Sequence, residues 1–274
     1  MSLPGLIISV IVGLDPTICK TQEIYMSIKD EAINWVKNYF EKNGNSQTKA
    51  VIGISGGKDS STVSALCCEV LGKDRVIGVM MPNGVQADID YSKKLCAFLG
   101  IKNYTINIAD AYNGLTHAIK DSLGTDEVPP QYKTNTPARL RMATLYGIAA
   151  LEGNARVSNN GNLSECLAGY FTLWGDGAGD FAPLANLYVD EVVELGLSLG
   201  LPEELCHKAP TDGMSGKTDE DNLGFTYADL RAVAEGKTDG MDAGKVAVIQ
   251  KRIETMAFKK KLLNIPCFVP SIRK

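Results

Sequence analysis

The period of the apolar positions changes along the chain, and the changes mark its elements. Ile24, Ile28, Ala32, Val36 and Phe40 recur at roughly helical spacing and Gly44 follows, which predicts an amphipathic helix over 22–43. The run Lys49-Ala-Val-Ile-Gly-Ile-Ser55 then reads as a short buried strand, followed by a glycine turn and a helix over 60–71. Further strands are expected at 75–81 and 104–108, with a helix over 89–99 between them that Gly100 ends. This β-α-β-α-β alternation predicts a single α/β domain with a doubly wound parallel sheet flanked by helices. Ligands on such sheets sit beyond the carboxyl ends of the strands.

The pattern continues with helices at 111–122 and 136–152 and a strand at 155–159, and then loosens. Segments 159–186 and 207–225 are rich in Gly, Asp, Asn and Thr, too long and too polar for plain connectors. Helices at 190–199, 227–235 and 242–262 interrupt and close this half. At the other end, the apolar stretch Leu3 to Leu14 is too short for a membrane span and lacks the flanks of a signal peptide. Residues 1–22 therefore read as an extension or expression scar, and 23–274 as the domain.

Composition narrows the classes. With 45% hydrophobic and 22% charged residues in 274, the chain is globular in type. Its net charge of −4 provides no basic footprint, which argues against nucleic acid as a partner. Seven cysteines without C-x-x-C spacing suit neither a disulfide framework nor a zinc site, so a reducing cytoplasm is the expected home. The two histidines, His117 and His207, have no metal-ligand spacing.

The strongest chemical signal is Ser55-Gly56-Gly57-Lys58-Asp59-Ser60, which follows a strand and opens a helix. Backbone N–H groups and the positive helix terminus make an anion site there. A Walker A loop would need glycine where Ile52 stands and Ser or Thr where Asp59 stands, and the glycine spacing fits no dinucleotide fingerprint. Gly56 and Gly57 would let backbone approach phosphates, Ser55 and Ser60 add hydroxyls, and Asp59 can hold Mg²⁺ on a triphosphate. Lys58 occupies the variable position and reads by itself as an exposed lysine.

This hexapeptide resembles the pyrophosphate loop of the N-type ATP pyrophosphatases, which cleave ATP between the α and β phosphates and adenylate a substrate. Three further stretches narrow the resemblance: Asn135-Thr-Pro-Ala-Arg139-Leu-Arg141; Asn160-Gly-Asn-Leu-Ser164-Glu165 with Gly169-Tyr-Phe-Thr-Leu-Trp-Gly-Asp176-Gly-Ala-Gly-Asp180; and Lys208-Ala-Pro-Thr211 through Lys217-Thr-Asp219-Glu220-Asp221. Because residues i and i+2 diverge on a helix, one of Arg139 and Arg141 at most is expected to face the site. Taken together, the chain from about 27 to 270 resembles the ammonia-dependent NAD synthetases, with an adenine nucleotide alpha hydrolase-like fold.

The resemblance implies Mg²⁺ on Asp59 and Glu165, ATP contacts from residues 55–60, Gln86, Asn160 and Thr211, and deamido-NAD contacts from Arg139 and Asp180. It also implies substrate contacts from Lys217, Lys259 and Lys260, and an ammonia position at Asp176. The implied reaction adenylates the nicotinate carboxylate of deamido-NAD and releases pyrophosphate, after which ammonia displaces AMP. The chain holds no room for a second domain of typical size to hydrolyse glutamine, so free ammonia is the expected donor, and the family implies a homodimer. Relatives that thiolate tRNA or amidate purines, and a nucleotide-binding regulator without catalysis, are the alternative readings. Met80 stands where many members have arginine, Asn160 where many have threonine, and Leu173 and Val189 where many have lysine.

Overall fold

The computed structural model describes residues 27–207, 218–262 and 265–273. The first helix, α1 (Ile28–Asn43), starts on Ser27, whose hydroxyl accepts from the Asp30 N–H, with Asp30 and Glu31 in the favourable first turn. The expectation that it begins at 22 falls partly outside the described residues. Strand β1 (Lys49–Gly53) leads into α2 (Lys58–Leu71), then β2 (Val76–Met80), α3 (Ile89–Leu99), β3 (Lys102–Thr105), α4 (Ala109–Leu123) and α5 (Pro130–Glu152). After β4 (Ala155–Val157) come α6 (Leu163–Ala168), α7 (Val189–Ser198), α8 (Glu203–Cys206), α9 (Asp219–Leu223), α10 (Tyr227–Ala234) and α11 (Ala243–Leu262).

The strands form a parallel sheet in the order β3-β2-β1-β4, with Val51 level with both Ile77 and Val157. Strand order reverses between β1 and β4, and this switch point is where a crevice opens at the carboxyl edge of such a sheet. The expected doubly wound α/β class holds. The third strand lies two to three residues earlier than expected, and just beyond it the Ile106 and Ile108 N–H groups still bond the carbonyls of Met80 and Pro82.

Alternate residues of β1 serve the two faces. Ala50 and Ile52, with Ile54 just beyond them, pack with α1, α2, α3 and α7, whereas Val51 joins Ile77, Val79 and Val157 against Met142, Leu145 and Ala149 of α5. Helix α2 is buried around most of its circumference by small residues, and its hydroxyls are satisfied internally: Ser61 donates to the Gly57 carbonyl and Ser64 to that of Ser60. A smaller core of Ala168, Phe225, Tyr227, Leu230, Val233 and Ile249 joins α6, α10 and α11. Among the described residues the cysteines are free, as expected, and no helix is long and apolar enough to cross a membrane.

Candidate active site

The site is built where β1 and β4 release the chain. Beyond β1, Gly56 has φ +77°, and a Cβ there would lie 2.9 Å from the backbone nitrogen of Ser92 and the Tyr91 Cβ, so only glycine fits this turn. The loop then closes on itself: the Ser55 and Ser60 hydroxyls are 3.1 Å apart, Gly57 N–H donates to Ser55 Oγ at 3.2 Å, and Ser60 Oγ donates to the Gly57 carbonyl. No side chain caps the start of α2, which leaves its first N–H groups directed at the crevice.

Beyond β4, Asn160 ties the two strand ends together by donating to the Gly53 carbonyl at 3.0 Å and accepting from Ser158 Oγ at 2.7 Å. The N-L-S-E sequence then forms a capping box: Asn162 Oδ1 accepts from the Glu165 N–H at 3.0 Å, and Glu165 Oε2 accepts from the Asn162 N–H at 3.1 Å. The same Asn162 amide donates to Asp59 Oδ1 at 2.9 Å. One asparagine thus holds the carboxylates of both strand ends in register across the switch point. Nothing in the sequence reading singled out Asn162, although its position three residues before Glu165 is a visible cap signal.

Lys58 is corrected by the structure. It is 4% exposed, and its Nζ lies 2.8 Å from Asp59 Oδ2. Burial alone would lower its pKa, but the carboxylates of Asp59, Glu165 and Asp219 outweigh it and hold the ammonium above its ordinary range. Glu165 is pushed up to about 8 by burial and by the charge of Asp59, with Lys58 opposing. Asp219, at the start of α9, is buried and accepts from the Tyr227 hydroxyl at 3.2 Å. It is a further charge at the site that the sequence reading left without a role.

The glycine-punctuated segment 169–180 covers the same edge. Thr172 N–H donates to Asp176 Oδ1 at 3.1 Å, and Asn159 Nδ2 reaches the carbonyls of Asp176 and Ala178. Gly179, with φ +158°, lets this loop pass so close to Asn159 that a Cβ would sit 2.6 Å from its backbone nitrogen. Trp174 is 58% exposed and held at φ +63°, a conformation an aromatic residue seldom adopts. Protein crowds Asp176 enough for burial to raise its pKa, opposed chiefly by the Thr172 N–H. The side chain nonetheless stays open to solvent, which limits that effect.

Arg139 Nε donates to the Leu173 carbonyl at 3.2 Å, and Lys259 Nζ to those of Gly169 and Phe171 at 2.7 and 2.6 Å. Both cations therefore shape this loop and keep further donors free of it. Arg141 Nε donates to the Met81 carbonyl at 3.0 Å, so both arginines are tied to loops at the carboxyl edge. Each bonds a different loop, which the divergence of their directions permits. Asp180 has both oxygens engaged, by the Val157 N–H at 2.8 Å and the Tyr146 hydroxyl at 3.0 Å. Gln86 lies in the loop beyond β2 and donates to Asp88 at 2.9 Å, and Lys260 is exposed on α11. Thr211 and Lys217 lie outside the described residues.

Residues 28–263 match the family model described as NAD synthase. The chain belongs to the NAD synthase family. It is 39% identical over 252 residues to an NH(3)-dependent NAD(+) synthetase of Pyrococcus horikoshii, an alignment covering 87% of this chain and 95% of the relative. Among solved structures it resembles an NMN synthetase from Francisella tularensis with a TM-score of 0.76 and 32% identity, covering 88% of this chain and 99% of the other. It also resembles an NH3-dependent NAD synthetase from Campylobacter jejuni, solved with nitrate, with a TM-score of 0.70 and 28% identity over 87% and 97% of the two chains.

Three positions at which the resemblance implies a basic residue carry apolar side chains in this NAD synthase. Met80 is 3% exposed inside the sheet, and Val189 packs with Leu230 and Ile249 in the small core. Leu173 is half-buried, and its carbonyl accepts from Arg139.

Proposed function

We propose that this chain amidates deamido-NAD to NAD, a C–N ligase reaction that takes its nitrogen from ammonia and cleaves ATP to AMP and pyrophosphate. The observation that carries the reading is Asn162 fastening Asp59, on the phosphate-loop helix, to the cap of Glu165 across the switch point. Oxygen donors from two carboxylates beside an anion-binding helix terminus suit Mg²⁺. Among the described residues no group of three or more His, Cys, Asp or Glu could hold a metal alone, so phosphate oxygens and water would complete the coordination. Bound there, Mg²⁺ would supply charge neutralisation on the polyphosphate.

The loop amides of Gly56 to Asp59 and the hydroxyls of Ser55 and Ser60 cradle the phosphates and hold the departing pyrophosphate. The nicotinate carboxylate attacks the α-phosphorus, and the resulting acyl adenylate is opened by ammonia with loss of AMP. Asp176, solvent-open and within the electrostatic influence of Lys259, would bind ammonium and take its proton before attack. Gln86, Asn160, Thr211, Arg139, Asp180, Lys217, Lys259 and Lys260 are assigned to the substrates through the family pattern. The site works in a cytoplasmic homodimer. Helix α4 buries none of its residues, Leu115 and Leu123 are exposed, and Tyr146 and Leu151 of α5 are open beside it, the apolar surface a second copy would cover.

The likeness to an NMN synthetase favours a second reading, in which the acceptor is the mononucleotide rather than the dinucleotide. Incubating the protein with ATP, Mg²⁺ and ammonium and either deamido-NAD or nicotinate mononucleotide separates the two. Chromatography should show NAD, AMP and pyrophosphate in equal amounts, with the higher kcat/KM on deamido-NAD. A higher kcat/KM on the mononucleotide establishes the second reading, and no AMP with either overturns both.

A further inference from the structure

Lys58 sits where lysine is disfavoured twice. It opens α2, where the helix dipole repels a cation, and it is 4% exposed, a depth lysine seldom reaches without a partner. What holds it is Asp59, whose Oδ2 accepts from Nζ at 2.8 Å while Oδ1 accepts from Asn162 at 2.9 Å. Both oxygens of the carboxylate are therefore engaged, and a divalent cation on Oδ2 would have to stand against the Lys58 ammonium 2.8 Å from that oxygen. Asn162 is locked by its reciprocal cap with Glu165, whereas Lys58 hangs on a flexible four-carbon stem. The lysine is the partner that can leave.

We propose that Lys58 is an exchangeable internal cation: it neutralises Asp59 while the site lacks nucleotide, and yields that oxygen to Mg²⁺ as its ammonium moves to the polyphosphate of ATP. The inference rests on the reading of Asp59 and Glu165 as the metal carboxylates. Metal alone must displace a built-in positive charge, and phosphate alone must pull Lys58 away and leave the half-buried Asp59 without its counter-charge. Arriving together, each compensates the other's displacement. Metal and phosphate therefore bind cooperatively, and the coupling is the same whichever is added first.

The test measures Mn²⁺ binding by electron paramagnetic resonance, with and without pyrophosphate, in the wild type, Lys58→Gln and Lys58→Arg. Without pyrophosphate, Lys58→Gln should bind Mn²⁺ about tenfold or more tightly than wild type, because a charge-assisted contact no longer competes. Its gain from pyrophosphate should shrink, and Lys58→Arg should behave as wild type in both respects. Equal or weaker Mn²⁺ binding by Lys58→Gln overturns the exchange while leaving the metal site in place. Absence of Mn²⁺ binding in all three proteins, even with pyrophosphate, overturns the metal reading and the exchange with it. A measurement on the wild type guards against a variant that fails to fold: acylation of Lys58 by acetic anhydride, followed by peptide mass spectrometry, should be slow and should speed up with saturating Mn²⁺. An unchanged rate also overturns the proposal.

Discussion

Glu152 and Glu165 stand at opposite ends of one parallel sheet and receive opposite treatment. Glu152, at the amino edge, accepts from Lys49 at 2.8 Å, from Lys102 at 2.6 Å and from the Tyr104 hydroxyl. The Lys102, Lys49 and Tyr104 hydrogen bonds, in that order, hold its carboxyl down at about 2. Glu165, at the carboxyl edge, accepts from one backbone N–H and is half-buried, and desolvation together with the charge of Asp59 beside it holds it at about 8. The amino edge is finished by the protein itself. The carboxyl edge is left with excess negative charge that an added cation would satisfy, which is the contrast expected between a structural carboxylate and one proposed to hold a metal.

The largest expected break in this comparison is Asp59→Asn. It keeps the shape and the Asn162 contact but removes the charge, and kcat/KM for NAD formation should fall by at least about 10²–10³-fold with circular dichroism unchanged. Full activity would remove Asp59 from the metal site. Next is the pH dependence of metal binding. A proton on Glu165 competes with the metal, so Mn²⁺ affinity without nucleotide should rise about tenfold per pH unit as pH climbs from 6 towards 8, then level off. A flat profile by paramagnetic resonance over that range would show that Glu165 is not a ligand.

The sheet, its order of elements and the phosphate loop were legible because they rest on local rules. Apolar runs such as Ala50 to Ile52 and a glycine turn before a helix carry their meaning in sequence. Helix α6 was missed because six residues are too few for periodicity, although the Asn162 to Glu165 cap announced it. Lys58 reads as exposed in sequence because, although its direct partner Asp59 is adjacent, the packing that buries it and the added charges of Glu165 and Asp219 come from distant positions. Pairing across the fold has no local signature. The same applies to Arg141, whose partner is the carbonyl of Met81 on another loop.

A smaller effect, at the amino edge, is expected from Glu152→Gln. Its side chain is 10% exposed, yet it lies near the sheet margin under lysines that are 31% and 54% exposed. Solvent therefore weakens those pairs, and the loss should be about 1–2 kcal/mol at pH 7 rather than the full value of the pKa shift. The contribution of a depressed carboxyl is present above the unfolded pKa near 4.5 and disappears as pH falls through about 2. Urea melts of wild type and variant should therefore differ at pH 7 and converge at low pH. Activity per folded molecule should not change, and a drop in kcat would mean that the two edges are coupled.

The smallest effect has the opposite sign. In metal-free protein, Glu165 keeps its proton up to about 8, whereas the unfolded chain releases it near the ordinary carboxylate value. Between those values the folded state binds more protons, so this residue lowers stability progressively as pH rises. Glu165→Gln removes the cost while keeping an oxygen that can accept from the Asn162 N–H. Lys58 already offsets part of the charge, which reduces the expected gain to about 1 kcal/mol, or about 2–4 °C in Tm, at pH 8. The gain should vanish near pH 5, where wild-type Glu165 is protonated in the fold. Adding MgATP should stabilise the wild type more than the variant and reverse their order, since only the wild type then has a cation for its carboxylate to meet. Calorimetry at pH 5 and 8, with and without MgATP, gives all four values. A variant less stable than wild type at pH 8 without metal would show that the carboxylate's cap on Asn162 outweighs its charge, and that the carboxyl edge is as complete as the amino edge.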